Sequence, residues 1–471
     1  MSEYLYHYHP VEPSTWMYLS SLLMIGLFFK FGRFWSVRNL DLMLLIAIGP
    51  GLLFVHYGHQ LAGESAQVVA EANQSQAELD EPTELDKTGE EAEMTSDPAV
   101  TLSLDDVKER LTEGLDAEWF GFFWLFCVGV LILARLLADP TMVRRPLLEP
   151  NLSAGGLIFI GCSLFVFLTA NVMSKDTANS TPTDQSDQPD ATPVVEQEVV
   201  RSEGPGYAYV ERLPSSARKI VAILSHLAVV VGMVSIGYRH FGNIVMGVGA
   251  ATLYLMLPYT SLMTHLVSHA LPAALLVWAI LWYRQPLVAG MFLGLASGLT
   301  YYALFLLPLW FSFYWPRGLM RFFAGLGIML ATLVGLLLVF SDEPLNDVIR
   351  MFGLMRPAMK GLDGLWDIGP NGGWSPFYRI PVLASFVALS ISMALWPAQK
   401  NLGTLLSCSA AIMVASQFWH GHGGGIYVAW YLPLLLLTIF RPNLEDRVAI
   451  SVLSERWLPR KLSLGLLGKA A

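Results

Sequence analysis

The chain is organised as long runs of apolar residues separated by short polar connections. A helix needs about 20 apolar residues to cross a bilayer, and most of these runs approach that length. They predict thirteen spans, or twelve if residues 286–316 form one long helix. The predicted spans are 16–32, 39–57, 119–138, 154–173, 217–238, 242–258, 264–283, 286–303, 304–316, 318–340, 379–397, 401–419 and 425–441. We therefore expect an all-α, polytopic integral membrane protein.

Composition agrees with this expectation. The 471 residues are 54% hydrophobic and 14% charged, whereas average soluble domains carry about 25% charged residues. The first residues lack a basic stretch of the kind that precedes a cleaved signal, so the first span is predicted to be retained. No pattern indicates a nucleic-acid partner, and the three cysteines form no CxxC motif.

Negative charge is concentrated in two segments. Residues 61–118 hold 17 Asp and Glu against 3 Lys and Arg, and residues 174–215 hold 8 against 3. Such polar, acidic stretches predict disorder because they offer little apolar surface to bury. The expected organisation is two spans in 1–57, an acidic disordered loop 58–118, two spans in 119–173, an acidic linker 174–215, a main membrane domain 216–441 with an outer loop 341–378, and a basic tail 442–471.

The basic residues predict the orientation of the chain. Lys and Arg in short loops favour the cytoplasmic side of a membrane. With thirteen spans, one side receives Lys30, Arg33, Arg38, Arg144, Arg145, Arg239, Arg284, Arg317, Arg321, Lys400 and the tail. We therefore expect a cytoplasmic carboxyl terminus, with the amino terminus and both acidic segments outside, in the cytoplasmic membrane of a bacterium.

Eight of the ten histidines fall on or near the predicted outer face. His265 and His269 are four residues apart, so on one helix they would share a face. His420 and His422 flank a glycine in a predicted turn. Imidazoles from such elements can bind a divalent metal ion or a phosphate. The alternative is that they cap helix ends or face water.

The outer loop 341–378 combines cations with aromatic residues. Its first part, PLNDVIRMFGLMRPAMKGL, has apolar residues at helical spacing and predicts an amphipathic helix on the membrane surface. Cations suit a lipid-linked phosphate, and aromatic faces suit a sugar ring. The candidate substrate-binding residues here are Arg350, Arg356, Lys360, Trp366 and Trp374. Aromatic anchors with snorkelling cations are the alternative.

The stretch EGPGYAYVERLPSSARK, residues 203–219, ends the second acidic segment just before a span. Its carboxylates Glu203 and Glu211 are candidate general bases, and Arg212 is a candidate substrate-binding cation. A structured stalk is the alternative interpretation.

Residues from about 217 to 440 resemble the GT-C superfamily of membrane glycosyltransferases, which use polyprenyl-phosphate sugars. The resemblance lies in the order of four segments. They are SIGYRHFGN, GAATLYLMLPYTSLMTHLVSHALPAALLVWAILWYR, PLVAGMFLGLASGLTYYALFLLPLWF and the terminal GGIYVAWYLPLLLL. Many members carry Lys in the glycine-bearing span, where this chain has Thr300, Tyr301 and Tyr302.

The resemblance implies an enzyme that transfers a sugar from a polyprenyl-phosphate donor to an acceptor on the outer face. It would involve an outer carboxylate, Glu203 or Glu211, and the terminal segment with Tyr427. A divalent metal ion at His265, His269, His420 and His422 would be the possible cofactor, and membrane lipid the partner. Two alternatives stay open: a transporter or lipid-handling protein, and a non-catalytic membrane scaffold.

Overall fold

A computed structural model describes most of the membrane part of the chain. The described residues are 11–80, 104–142, 148–174, 206–341, 343–354, 362, 364–366, 373–397, 400–421 and 426–442. Within them the secondary structure is helical and contains no β-strand. This confirms the predicted all-α class for the described part of the chain.

Among the described residues are sixteen α-helices, with short 3₁₀ turns and one π-helical turn, Gly237–Phe241, between them. In chain order they are α1 Pro13–Phe28, α2 Val37–Asp80, α3 Leu104–Ala138, α4 Ala154–Ser174, α5 Tyr207–Glu211, α6 Ser215–Ile236, α7 Ile244–Met256, α8 Pro258–Leu262, α9 Val267–Leu281, α10 Pro286–Leu299, α11 Leu307–Tyr314, α12 Leu319–Phe340, α13 Pro344–Met351, α14 Arg379–Leu395, α15 Leu402–Gln417 and α16 Leu432–Phe440.

Six helical segments among the described residues are long and apolar enough to cross a membrane. They are Val37–Val69, Asp106–Thr141, Ala154–Met173, Ser215–Phe241, Leu319–Phe340 and Pro376–Leu395. Large apolar side chains such as Met320 and Val339 stay exposed along α12, a surface that lipid tails can cover. The shorter helices α7, α9, α10, α11 and α15 lie among these. The chain therefore has the helices of a membrane protein.

The first acidic segment differs from its prediction. Residues 58–80 continue α2, and residues 104–118 belong to α3, so much of the expected disordered loop 58–118 is helical. The reason is close packing between the two helices. A Cβ on Gly114 would lie 2.7 Å from the backbone nitrogen of Ala62, so glycine lets the backbones touch. This contact holds the hairpin together beyond the apolar spans.

Residues 286–316 form two helices and not one. Thr300 is extended, with φ −145° and ψ 120°, and interrupts the helical hydrogen bonding after α10. The chain then reverses direction. The Tyr314 hydroxyl at the end of α11 donates to the Tyr283 carbonyl just before α10, at 2.6 Å, so the end of α11 lies beside the start of α10. The alternative of one long helix is wrong.

The predicted amphipathic helix is confirmed over α13. It begins after Glu343 with Pro344 in its first turn. Its apolar residues Leu345 and Ile349 are exposed, whereas Met351 is buried. The helix ends at Met351, two residues before Gly353, whose φ of +64° is one that glycine adopts far more readily than other residues.

The amino-terminal helices pack directly on the main domain. Helix α4 lies along α7, and α3 lies along α15. The ends of these elements meet in a buried ion network. Arg135 binds Asp41 through two hydrogen bonds of 2.7 and 3.0 Å, and Asp139 through one of 3.0 Å. Arg441 adds a 2.6 Å bond to Asp139. At the same end, Arg38 donates to the Phe28 and Glu149 backbone carbonyls at 2.8 and 2.6 Å.

Candidate functional site

Five separate parts of the chain meet at one end of the molecule, which we call the site end. They are the start of α9, the turn after α10, the start of α14, the end of α15 and the turn before α16. Their side chains form what we call the histidine–aromatic cluster. Its members are His269, Tyr302, Trp419, His420, Tyr427 and Trp430.

The cluster is a continuous set of ring contacts. Tyr427 is its centre: it stacks on His269 with ring centroids 4.7 Å apart and on Trp430 at 4.4 Å. His420 lies 4.9 Å from Tyr427 and 5.1 Å from Tyr302. Each such pair contributes about 0.5–1.5 kcal/mol beyond the burial of its area. The stack therefore fixes two histidines from distant parts of the chain in one place.

A buried arginine borders the cluster. Arg379, at the start of α14, donates to the Trp419 carbonyl through Nε at 3.2 Å and through a terminal nitrogen at 2.9 Å. Its guanidinium also lies 5.8 Å from the centre of the Trp419 ring. Gly421 makes room for it, because a Cβ there would approach the guanidinium to 2.7 Å. Gly421, next to His420, therefore leaves room for the buried guanidinium of Arg379.

Two buried polar atoms near the cluster lack a partner among the described residues. They are the indole nitrogen of Trp419 and the side-chain oxygen of Gln417. Gln417 also lines a small cavity between α3, α15 and the turn that carries Trp366. Buried groups without partners are uncommon in folded proteins, and a bound water or ligand satisfies them in many cases.

A second cavity lies where α5 meets the start of α9. Tyr207, Ser268 and Trp430 are among the residues that line it. Its volume of about 10 Å³ is the space that one water needs. The backbone amide of Gly206 anchors this segment by donating to the Gly298 carbonyl at 2.9 Å. The stretch before the α6 span is therefore placed beside the cluster.

The predicted histidine pair is arranged differently from expectation. Helix α9 begins at Val267, so His265 lies in the preceding turn and does not share a helix face with His269. The Nδ1 atom of His269 is hydrogen-bonded to the Tyr259 hydroxyl. Among the residues with a described position, no three His, Cys, Asp or Glu side chains are grouped to hold a metal ion. His422 lies outside the described part.

The predicted loop residues are dispersed around the cluster. Arg350 pairs with Asp347 at 3.6 Å within α13. Arg212 donates to the Phe340 carbonyl at 3.3 Å, which joins the 203–219 stretch to the end of α12. Arg356, Lys360 and Glu203 lie outside the described residues, as does the side chain of Glu211.

The two candidate sugar-binding tryptophans pack against the protein. Trp374 contacts Phe126 edge-on at 5.3 Å and Trp366 at 5.8 Å. Trp366 is fully buried, so its ring face is covered in this structure. Trp366 does, however, line the cavity of Gln417. Both rings therefore hold the outer loop against α3.

Sequence reasoning assigned His269, His420 and Tyr427 to the site but not Arg379, Tyr302 or Trp419. Arg379 could have been identified from the sequence, because it is a cation at the start of a predicted span, on the side opposite the basic loops. Tyr302 stands in the segment where many members of the superfamily that the chain resembles carry Lys. Trp419 had no comparable signal, because aromatic residues at span ends are common membrane anchors.

Comparisons of the chain with known protein families, with curated proteins and with solved structures found no match.

Proposed function

We propose that the protein is a GT-C-like membrane glycosyltransferase that takes a sugar from a polyprenyl-phosphate donor at the site end. The observation that carries this proposal is the convergence of the 206–212 stretch, the start of α9 and the segment 419–430 around the histidine–aromatic cluster. Gly353, just after α13, packs against Tyr301 beside the cluster. The candidate site residues of the outer face are predicted from the sequence in these same segments. In the proposal, the site end faces outward and all thirteen spans cross the membrane.

The cluster offers the chemistry that a lipid-linked sugar needs. Aromatic faces bind the apolar faces of sugar rings, and the buried Arg379 supplies positive charge beside them. In transfer from a polyprenyl-phosphate sugar, negative charge develops on the phosphate as it leaves. Fixed cations and hydrogen-bond donors there stabilise the transition state. Arg350 and Arg212 supply further cations at the same end.

The general base in this proposal is an acid of the 203–211 stretch. Helix α5 ends at Glu211, and its first residue, Tyr207, lines the cavity at the start of α9. A carboxylate on this segment is therefore carried by the part of the chain that covers the cluster. It would accept the proton from the acceptor hydroxyl.

The location of buried charge supports the transferase over a transporter. The buried carboxylates Asp41 and Asp139 are bound by arginines. They lie at the opposite end of the molecule, where Arg441 follows α16. A proton-coupled transporter uses ionisable groups along its path through the membrane. The pairs here instead fasten helix ends together.

The test is transfer from a lipid-linked donor by the purified protein in proteoliposomes. The donors are polyprenyl-phosphate sugars with different labelled head groups, and release of polyprenyl phosphate is followed. We expect Arg379→Gln to lower kcat/KM about tenfold to a hundredfold, because a charge-assisted contact to phosphate is worth about 1.5–3 kcal/mol. The matched control is Arg239→Gln, which removes an arginine stacked on Trp282 away from the cluster.

Tyr302→Phe keeps the ring contacts of the cluster and serves as a second variant if Arg379→Gln does not fold. The proposal is contradicted if the folded wild-type protein releases polyprenyl phosphate from none of the donors. It is also contradicted if Arg379→Gln and Arg239→Gln retain equal activity.

A further inference from the structure

The two nitrogens of the His269 ring are in different situations. Nδ1 is hydrogen-bonded to the Tyr259 hydroxyl. Nε2 forms no hydrogen bond with any residue that the structure describes, although the side chain is only 3% exposed. A ring nitrogen in a nearly buried side chain that has no protein partner is a group to which a ligand can bind.

The surroundings of Tyr259 settle the direction of its bond to His269. The backbone N–H of Ala429 lies near the phenol oxygen of Tyr259. Burial raises the pKa of Tyr259 well above its usual range, so the phenol keeps its proton. Within the described structure, the only acceptor for that proton is Nδ1 of His269. The reverse direction would leave a buried hydroxyl proton unpaired, which is unfavourable.

A neutral imidazole whose Nδ1 accepts carries its proton on Nε2. The ring is buried, and His226, His265 and His420 lie close enough to repel a positive charge on it. The ring is also in the first turn of α9, whose amino terminus has no side-chain cap and carries the positive end of the helix dipole. All three effects disfavour an imidazolium, and the helix dipole also favours a nearby anion.

We propose that His269 is a neutral hydrogen-bond donor, through Nε2–H, to a phosphoryl oxygen, and that Tyr259 is the positioning residue that sets this tautomer. The proposal rests on the proposed function for the identity of the phosphate as part of a lipid-linked donor. It excludes His269 as a metal ligand in this state, because Nε2 offers no lone pair and Nδ1 is occupied by Tyr259.

The experiment uses the full chain in lipid nanodiscs with ¹⁵N-labelled histidine rings, observed by NMR. Difference spectra against His269→Gln assign the His269 signals. We expect wild-type His269 to be protonated at Nε2 and unprotonated at Nδ1. Tyr259→Phe removes the donor to Nδ1, so the Nδ1–H tautomer becomes populated.

The matched control is Tyr254→Phe. Tyr254 bonds to Nδ1 of His226 at 2.9 Å, so the variant removes the same kind of tyrosine–histidine bond from a different histidine. It should alter the His226 signals and leave the His269 tautomer unchanged. If Tyr259→Phe does not fold, the wild-type spectrum alone still decides between the two tautomers.

Ligand binding is tested with short-chain polyprenyl phosphate and, separately, with inorganic phosphate. We expect the Nε2–H signal of His269 to shift with the lipid phosphate, and the Kd to rise about tenfold in Tyr259→Phe, as expected for one misplaced donor. A shift with inorganic phosphate would show that the phosphoryl group alone suffices. A wild-type Nδ1–H tautomer, or an Nε2–H signal that neither probe moves, overturns the proposal.

The outcomes separate this inference from the proposed function. A shift of the His269 signal without sugar transfer from any donor retains the phosphoryl site and rejects the transferase. Transfer with an unmoved His269 signal retains the transferase and rejects this role of His269.

Discussion

Asp139 shows how a single residue can join distant parts of this chain. Its side chain is fully buried, and its two oxygens bind Arg135 of α3 and Arg441, which follows the last helix. A buried carboxylate is tolerated only when its charge and hydrogen-bonding capacity are satisfied. The two arginines satisfy both conditions here.

Removing this carboxylate should strongly destabilise the fold. In Asp139→Ala, Arg441 loses its described carboxylate partner, and Arg135 keeps only Asp41. Breaking a buried pair costs about 3–5 kcal/mol because a buried charge is left uncompensated. We expect a large decrease in the thermal unfolding temperature in detergent. The control is Asp116→Ala, an exposed acid of α3, for which a change within about 0.5 kcal/mol is expected.

The residues of the site were only partly predictable from sequence. Histidines and a terminal tyrosine have chemistry that sets them apart, so His269, His420 and Tyr427 were identified, and they do meet. The partner of a charged residue could not be predicted from the sequence. Asp41 binds Arg135, which is 94 residues away, and nothing local in the sequence favours it over Arg38. Such pairings are set by how the helices pack.

Among the elements, the α2–α3 hairpin departs most from its predicted form. Gly51 and Gly58 on α2 are seven residues apart, as are Gly114 and Gly121 on α3. A Cβ at Gly121 would lie 2.6 Å from the Val55 backbone nitrogen, so these glycines form the contact surface between the antiparallel helices. A seven-residue spacing keeps one helix face in contact with its partner. The prediction of a disordered loop was based on the number of acidic residues and did not consider this spacing of the glycines.

Substituting a contact glycine should weaken the hairpin. In Gly114→Ala the new methyl group would meet the Ala62 backbone, which cannot rotate away. We expect a loss of about 1–3 kcal/mol, measured by denaturant unfolding in detergent micelles. The control is Gly63→Ala on the facing helix, where a Cβ meets nothing within 4 Å. There alanine should stabilise the helix by about 0.5–1 kcal/mol. Equal effects of the two substitutions would contradict the packing argument.

Helix positions were well predicted from the apolar runs, since burial in lipid imposes length and hydrophobicity on each span. The ends of the helices were predicted less accurately. Helix α1 ends at Phe28, before the predicted limit of residue 32, and α16 begins at Leu432, after a 3₁₀ turn. Proline near the start of α16 sets that boundary, because proline has no backbone N–H to donate.

At the scale of the whole molecule, the structure has two chemically different ends. The site end carries the histidine–aromatic cluster. The opposite end carries the ion network and, in addition, the cations Lys30 and Arg38. The alternation of loops between these ends agrees with the basic and acidic loops of the sequence. Which end faces the cytoplasm is a prediction from the basic residues alone.

Cysteine labelling can test that orientation. Trp35→Cys lies at the opposite end and Phe377→Cys at the site end, and both positions are highly exposed. We expect a membrane-impermeant maleimide added to intact cells to label Phe377→Cys and not Trp35→Cys, with Trp35→Cys labelled only after the membrane is opened. The native Cys408 is buried, and Cys127 and Cys162 lie within apolar helices, so the background should be low. Labelling of Trp35→Cys in intact cells would reverse the orientation.

The ion network also imposes an order on biogenesis. Asp139 and Arg441 are 302 residues apart, so their bond forms only when the last helix has entered the membrane. Until then Asp41, Arg135 and Asp139 together hold one excess negative charge, and the early helices remain incompletely neutralised. Arrival of Arg441 completes the set, so a late step of synthesis neutralises this end of the structure. A nascent chain that stops short of Arg441 should remain open at this end and accessible to membrane proteases.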